Sequence, residues 1–267
     1  MPFFISQGHK LHYEVKGEGL PIFFIHPPAM GSAAFYHQRR LAHDFKVVLM
    51  DARGHGFSQA GRETLTISEW AEDLHNLADV LGLDRVLLCG YSSGGSVALE
   101  FALRWPERTA GAALAGGFPE VRTTLLHREF EIGMWITEKG WMGLLAGMLS
   151  IGNAAQAEHR ERIAAAVKRS SAPLVHSLYE SGLHYSCTAG LPSLSRPLLL
   201  LYGSRDWYVH YYQYMFYKYA VQAPKDIVMV HGVGHQIPTL QPASYNAAVA
   251  QFARQLEQGG VPFKTLT

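Results

Sequence analysis

Charge is what this chain has least of. Only 17% of its 267 residues are Asp, Glu, Lys or Arg, and they nearly cancel to a formal net charge of +1. No run of Lys or Arg exceeds two residues, so the basic stripe that tracks a nucleic-acid backbone is missing and no nucleic-acid partner is expected. Cysteine is almost absent, with Cys89 and Cys187 the only two. Cys89 falls in an apolar run and reads as a small buried hydrophobe rather than half of a disulfide, which suits a reduced, cytoplasmic setting. No apolar stretch approaches the roughly 20 residues that span a bilayer. Met1-Pro2-Phe3-Phe4-Ile5 lacks the basic head and apolar core of a signal peptide. Neither an internal repeat nor a low-complexity segment is evident. His26 and His55 lack metal-site spacing, and no metal or cofactor is expected.

What remains is an apolar chain: 48% of its residues are hydrophobic, enough for one large core. Phe3–Ser6 and Lys10–Val15 read as a hairpin across Gln7-Gly8. Ile22-Phe23-Phe24-Ile25, Phe45–Met50, Val86–Gly90, Ala110–Ala115 and Leu198–Gly203 are continuous apolar runs, the pattern of strands buried on both faces. Helical patterns alternate with them, one around Ala34–Ala42 and the clearest over Thr66–Leu81. There Thr66 and Glu69 form a capping box, and Ile67, Trp70, Leu74, Leu77, Ala78 and Leu81 recur at helical spacing. The alternation predicts a mostly parallel, doubly wound α/β sheet. It breaks between Phe118 and Arg196, where four helical patterns follow one another, and resumes at Pro197. We therefore expect a core built from residues 1–117 and 197–267, with residues 118–196 inserted as a helical cap. A terminal helix is expected over 243–258.

The chemistry centres on Gly90-Tyr91-Ser92-Ser93-Gly94. An apolar strand runs into this G-x-S-x-G pentapeptide and a small-residue helix follows it, the pattern of a nucleophile elbow. Glycines two before and two after Ser92 suit a strained turn with little room for Cβ atoms. A serine hydroxyl needs a base to take its proton, so a carboxylate and a histidine should follow at later strand ends. Asp206 follows Leu198–Gly203, and His235 follows Ile227–Val230 behind Gly232 and Gly234. His231 abuts the strand directly and is the poorer candidate. The order Ser92, Asp206, His235 is that of an elbow-type triad, with His235 as the base and Asp206 orienting it.

On these features, with Asp51-Ala52-Arg53-Gly54-His55-Gly56-Phe57-Ser58, the chain resembles the α/β-hydrolase family over essentially its full length. The resemblance implies that Arg53 and His55 hold loops together. It implies Ser93 N–H as one oxyanion donor and the residue two after His26 as the other. That residue is Pro28, which has no N–H. A shift of the role to Ala29 is expected, with Ser32 or a tyrosine as alternatives. Serine as nucleophile sets aside the family's aspartate-dependent dehalogenase and epoxide hydrolase branches. The expected activity is hydrolysis of a small to medium, largely apolar carboxylic ester or lactone. A carbon–carbon hydrolase acting on a diketone, or a binding module that retains the triad, is the alternative. Tyr91, Phe118, Trp135, Met142 and Trp207 are the expected pocket residues. Oligomeric state is not legible from the sequence.

Overall fold

The computed structural model of the protein describes residues 2–61 and 64–259. In chain order the strands are β1 (Phe3–Ser6), β2 (His9–Lys16), β3 (Pro21–Ile25), β4 (Lys46–Met50), β5 (Val86–Tyr91), β6 (Thr109–Ala115), β7 (Leu198–Gly203) and β8 (Lys225–Val230). They form one sheet in the order β1-β2-β4-β3-β5-β6-β7-β8. The β1–β2 and β2–β4 pairings are antiparallel, and every pairing from β4 to β8 is parallel. Residues alternate along each strand between two cores. Phe23, Ile25, Leu88, Leu114 and Leu200 face one core; Ile22, Phe24, Leu87, Cys89 and Leu201 face the other. Helices cover both faces, so the inner strands β3 to β7 need apolar side chains at nearly every position, which explains the unbroken hydrophobic runs.

The helices are α1 (Ile67–Val80), α2 (Ser93–Arg104), α3 (Thr124–Glu138), α4 (Met142–Asn153), α5 (Ala157–Arg169), α6 (Ala172–His184), α7 (Gln213–Tyr219), α8 (Ile237–Leu240) and α9 (Pro242–Glu257). At the start of α1, Thr66 Oγ1 accepts from Glu69 N at 3.1 Å while Glu69 Oε2 accepts from Thr66 N at 2.9 Å. That closes the capping box read from the sequence, and Trp70, Leu74, Leu77 and Ala78 are buried beneath it. The expected helix over Ala34–Ala42 is instead two 3₁₀ turns, Gly31–Phe35 and His37–His43. Its buried residues Phe35, Gln38 and Leu41 recur every three positions, which matches the 3₁₀ repeat rather than the α repeat.

Helices α3 to α6 occupy the interval between β6 and β7. Among the described residues this interval adds no strand to the sheet, only an isolated bridge between Glu120 and Ser186. Polar contacts tie these helices to the sheet layer. Ser171 N donates to Gly54 O at 2.7 Å, and Leu65 N to Ser177 Oγ at 2.8 Å. His159 Nε2 donates to Ala33 O at 3.0 Å. Residues 260–267 of the expected core lie outside the described residues.

Candidate active site

Ser92 connects β5 to α2 with φ 54° and ψ −125°, a backbone conformation that costs a non-glycine residue about 1–3 kcal/mol. The surroundings enforce it. A Cβ on Gly90 would meet Gly94 O and Gly95 Cα, each at 2.5 Å, and one on Gly94 would meet Ile25 O at 2.1 Å. Both contacts are with backbone, so neither glycine has a substitute that fits without moving the turn. Ser92 N donates to Ala115 O at 2.9 Å, and Gly95 N to Ser92 O at 2.7 Å. The elbow is thereby pinned to β6 and to the first turn of α2.

The loops after β7 and β8 are stitched to each other. Ser204 N donates to Val230 O and Arg205 N to Val233 O, each at 2.9 Å, and Gly232 N donates to Ser204 Oγ at 3.0 Å. Gly203 lets them close, since a Cβ there would lie 2.0 Å from Gly234 O. The result is a buried pair in which His235 Nδ1 lies 2.8 Å from Asp206 Oδ2, with the residues 6% and 1% exposed. With Nδ1–H donating to the carboxylate, Nε2 is the basic nitrogen, and it has no hydrogen-bond partner among the described residues. Burial, the largest single influence, disfavours the imidazolium. The hydrogen bond and charge of Asp206, with Glu129 adding its charge, outweigh burial and hold the His235 pKa above its ordinary value. His231, by contrast, is exposed.

Ser92, Ser93 and His235 line one cavity of about 60 Å³. Its walls are Pro27, Pro28 and Met30 on one side and Glu129, Phe130, Leu149, Asn153 and Tyr179 from α3, α4 and α6 on the other. Tyr91 also lines it, donating to Asn153 Oδ1 at 2.8 Å. Burial pushes the Tyr91 phenol well above its usual range, so it stays protonated.

The other expected pocket residues stand elsewhere. Phe118 is buried behind the wall, 5.7 Å from the Tyr212 ring and 6.1 Å from Phe130. Trp135 is 48% exposed and packs edge-on against Trp141. It follows the wall residue Phe130 by five positions, more than one turn of α3, which carries it to another face. Met142 lies seven residues before Leu149 on α4, about 10 Å away along the axis at 1.5 Å per residue. Trp207 is 73% exposed, pointing outward where its neighbour Asp206 points in.

Ala29 has φ 70° and is buried, its carbonyl accepting from Ser170 Oγ at 3.1 Å. It is not among the residues that line the cavity, whereas Pro28 is. Ser32 N donates to Asp51 Oδ1 at 2.6 Å, and Ser32 faces a separate cleft.

Histidines 26 and 55 have structural partners. His26 Nδ1 donates to Pro27 O at 2.9 Å, and its Nε2 accepts from Ala52 N at 3.1 Å. His55 Nδ1 donates to Arg53 O at 2.9 Å, and burial holds its pKa down at about 3, so the ring is neutral. Arg53 grips Asp73 with two 2.7 Å hydrogen bonds. Among the described residues, no group of three or more His, Cys, Asp and Glu side chains is placed to hold a metal ion.

Two features of the site, Gly116 and Glu129, were not read from the sequence. Gly116, with φ 59°, seats the His235 ring, because a Cβ there would lie 2.5 Å from His235 Cε1. Glu129 brings a carboxylate into the cavity wall and accepts from Tyr208 Oη at 2.9 Å. Tyr208 in turn stands 6.1 Å from the His235 ring. Gly116 sits in a glycine pair at a strand end, a signal that marks a close approach without naming its partner.

The family model described as serine aminopeptidase, S33 (Hydrolase_4) matches residues 34–239. An uncharacterized protein of Mycobacterium bovis is 31% identical over 108 residues, 40% of this chain, and the match spans 32% of that relative's length. A probable proline iminopeptidase of Leptolyngbya boryana is 29% identical over 142 residues, 51% of this chain and 44% of the relative. Among solved structures, a thermophilic esterase from Thermogutta terrifontis superimposes with a TM-score of 0.80 at 25% identity. That superposition covers 95% of this chain and 97% of the other.

Proposed function

Since the chain belongs to the α/β-hydrolase family, we propose that it is a serine hydrolase that cleaves a small, largely apolar carboxylic ester or lactone through Ser92, His235 and Asp206. The observation that carries this reading is the buried 2.8 Å contact between His235 and Asp206 beside a cavity that His235 shares with Ser92. Ser92 Oγ attacks the substrate carbonyl carbon and its proton passes to His235 Nε2. Asp206 keeps the proton on Nδ1 and stabilises the imidazolium that forms. The carbonyl π electrons move onto oxygen, where Ser93 N–H at the start of α2 supports the negative charge. As the tetrahedral species collapses, the C–O bond to the leaving group breaks and His235 hands its proton to the departing oxygen. Water then cleaves the acyl-enzyme by the same route, with His235 again the base.

The cavity favours short acyl groups. Its walls are mainly Pro27, Pro28, Met30, Phe130, Leu149 and two tyrosines, with no Lys or Arg among the lining residues, so an anionic substrate finds no counter-charge. The likeness to a thermophilic esterase supports ester hydrolysis as the reaction. A panel of p-nitrophenyl esters from acetate to octanoate, run with wild type and Ser92→Ala, tests the proposal. Turnover should fall with chain length and vanish in the variant. Turnover that survives in Ser92→Ala would dismiss Ser92 as the nucleophile. No turnover on any ester, together with thermal stabilisation by a small ligand, would instead identify a binding protein.

A further inference from the structure

We propose that the side-chain hydroxyl of Ser93 supplies the second hydrogen bond to the oxyanion, the one Pro28 has no N–H to give. The inference rests on Ser92 being the nucleophile. Ser93 opens α2, is 2% exposed, and lines the cavity together with Ser92 and His235. A serine at a helix start ordinarily bonds its hydroxyl to nearby backbone. Ser93 Oγ does not: among the described residues it has no donor or acceptor within reach. Unsatisfied buried polar atoms are uncommon and call for an explanation such as catalysis. Here Ser93 Oγ belongs to the same set as His235 Nε2 and Asp206 Oδ1, so three such atoms gather at one site.

Helix α6 packs beside this hydroxyl without bonding it. A Cβ on Gly182 of α6 would lie 3.1 Å from Ser93 Oγ and 2.8 Å from Phe130 Cε1, so the missing side chain keeps the space beside the hydroxyl open. Rival donors are mostly engaged. Tyr91 donates to Asn153, Tyr208 to Glu129, and Ser32 faces a different cleft. Tyr179 Oη and the Gln236 side-chain amide are the remaining donors in the lining. In the reaction Ser93 transfers no proton. Its O–H donates to the carbonyl oxygen as the π electrons localise there, while the Ser92 proton goes to His235.

The test uses the full chain, p-nitrophenyl acetate and the variants Ser93→Ala, Tyr179→Phe and Ser92→Ala. Ser93→Ala should lower kcat by about 10²-fold, the usual cost of one oxyanion donor, with KM little changed. Its Tm should hold or rise, because the lost hydroxyl had no protein partner. Labelling of Ser92 by a serine-directed phosphonate should still reach one equivalent, which establishes that the variant is folded and the nucleophile intact. A bound phosphonate should place its oxygen about 2.7–3.1 Å from both Ser93 Oγ and Ser93 N. Unchanged kcat in Ser93→Ala, or a comparable loss in Tyr179→Phe alone, overturns the proposal while an inactive Ser92→Ala leaves the nucleophile standing. Activity retained in Ser92→Ala removes the reading beneath it as well.

Discussion

Replacing Gly203 by alanine should disable the site without touching any residue that performs chemistry. Gly203 ends β7, three residues before Asp206, and its backbone is ordinary extended strand, so alanine meets no conformational penalty there. The penalty is spatial. The new Cβ would lie 2.0 Å from Gly234 O and 2.4 Å from Val233 O, whereas ordinary contact begins near 3.4 Å. Both obstructing atoms are backbone, so the loop carrying His235 must retreat by more than about 1 Å. A displacement of that size in a reacting group typically costs about 10²-fold in rate, and overpacking of this kind costs about 1–3 kcal/mol of stability. Gly147→Ala on α4 is the control. Its Cβ would meet nothing within 4 Å, and alanine in a helix interior should gain about 0.5–1 kcal/mol. Ester turnover and thermal melts on both variants provide the comparison. A Gly203→Ala enzyme with kcat near wild type would refute the claim that this glycine sets the Asp206–His235 geometry.

Two further outcomes follow from the electrostatics. The proposed mechanism needs neutral His235, and the charge of Glu129 favours its protonated form. Glu129→Gln should therefore move the acidic limb of the kcat/KM profile to lower pH, and a limb that stays put or rises would contradict that role. Asp51 accepts from Ser32 N and Phe57 N and contacts His12 Nδ1 at 2.8 Å. Burial, the largest single influence, favours its neutral form, but these bonds prevail and hold its pKa down at about 2 from 3.8. The folded pKa is the lower one, so the stabilisation is present above about pH 4 and is lost as pH falls towards 2. At 1.36 kcal/mol per unit it amounts to about 2 kcal/mol. The stability gap between wild type and Asp51→Asn, measured by urea unfolding, should shrink from pH 7 to pH 3, and a constant gap would show that the charge is not what stabilises the loop.

The elbow was legible in the sequence because its demands are local: Gly90 and Gly94 answer contacts within the strand, turn and helix they belong to, plus the neighbouring end of β3. The strands were legible for a related reason, since burial on both faces leaves an unbroken apolar run. Asp206 and His235 stood out because the parallel sheet delivers successive strand ends to one edge. Of the expected pocket residues only Tyr91 lines the cavity. Hydrophobic content alone led to Trp135, Met142 and Trp207, but content carries no direction. Helix phase decides which side chains face the cavity, and α4 has no charged residue to mark its outer face. Its exposed Leu144, Met148 and Ile151 are as apolar as its buried Leu145. Gly116 and Glu129 were missed because each acquires its meaning from a contact far along the chain, with His235 and with Tyr208.

The most direct test of the central claim is the site of covalent capture. Protein treated with a fluorophosphonate, digested and analysed by mass spectrometry, should carry one equivalent of adduct on the peptide containing Ser92, with esterase activity lost in proportion to labelling. Adduct on any other residue, or full activity remaining after Ser92 is stoichiometrically modified, would contradict the account.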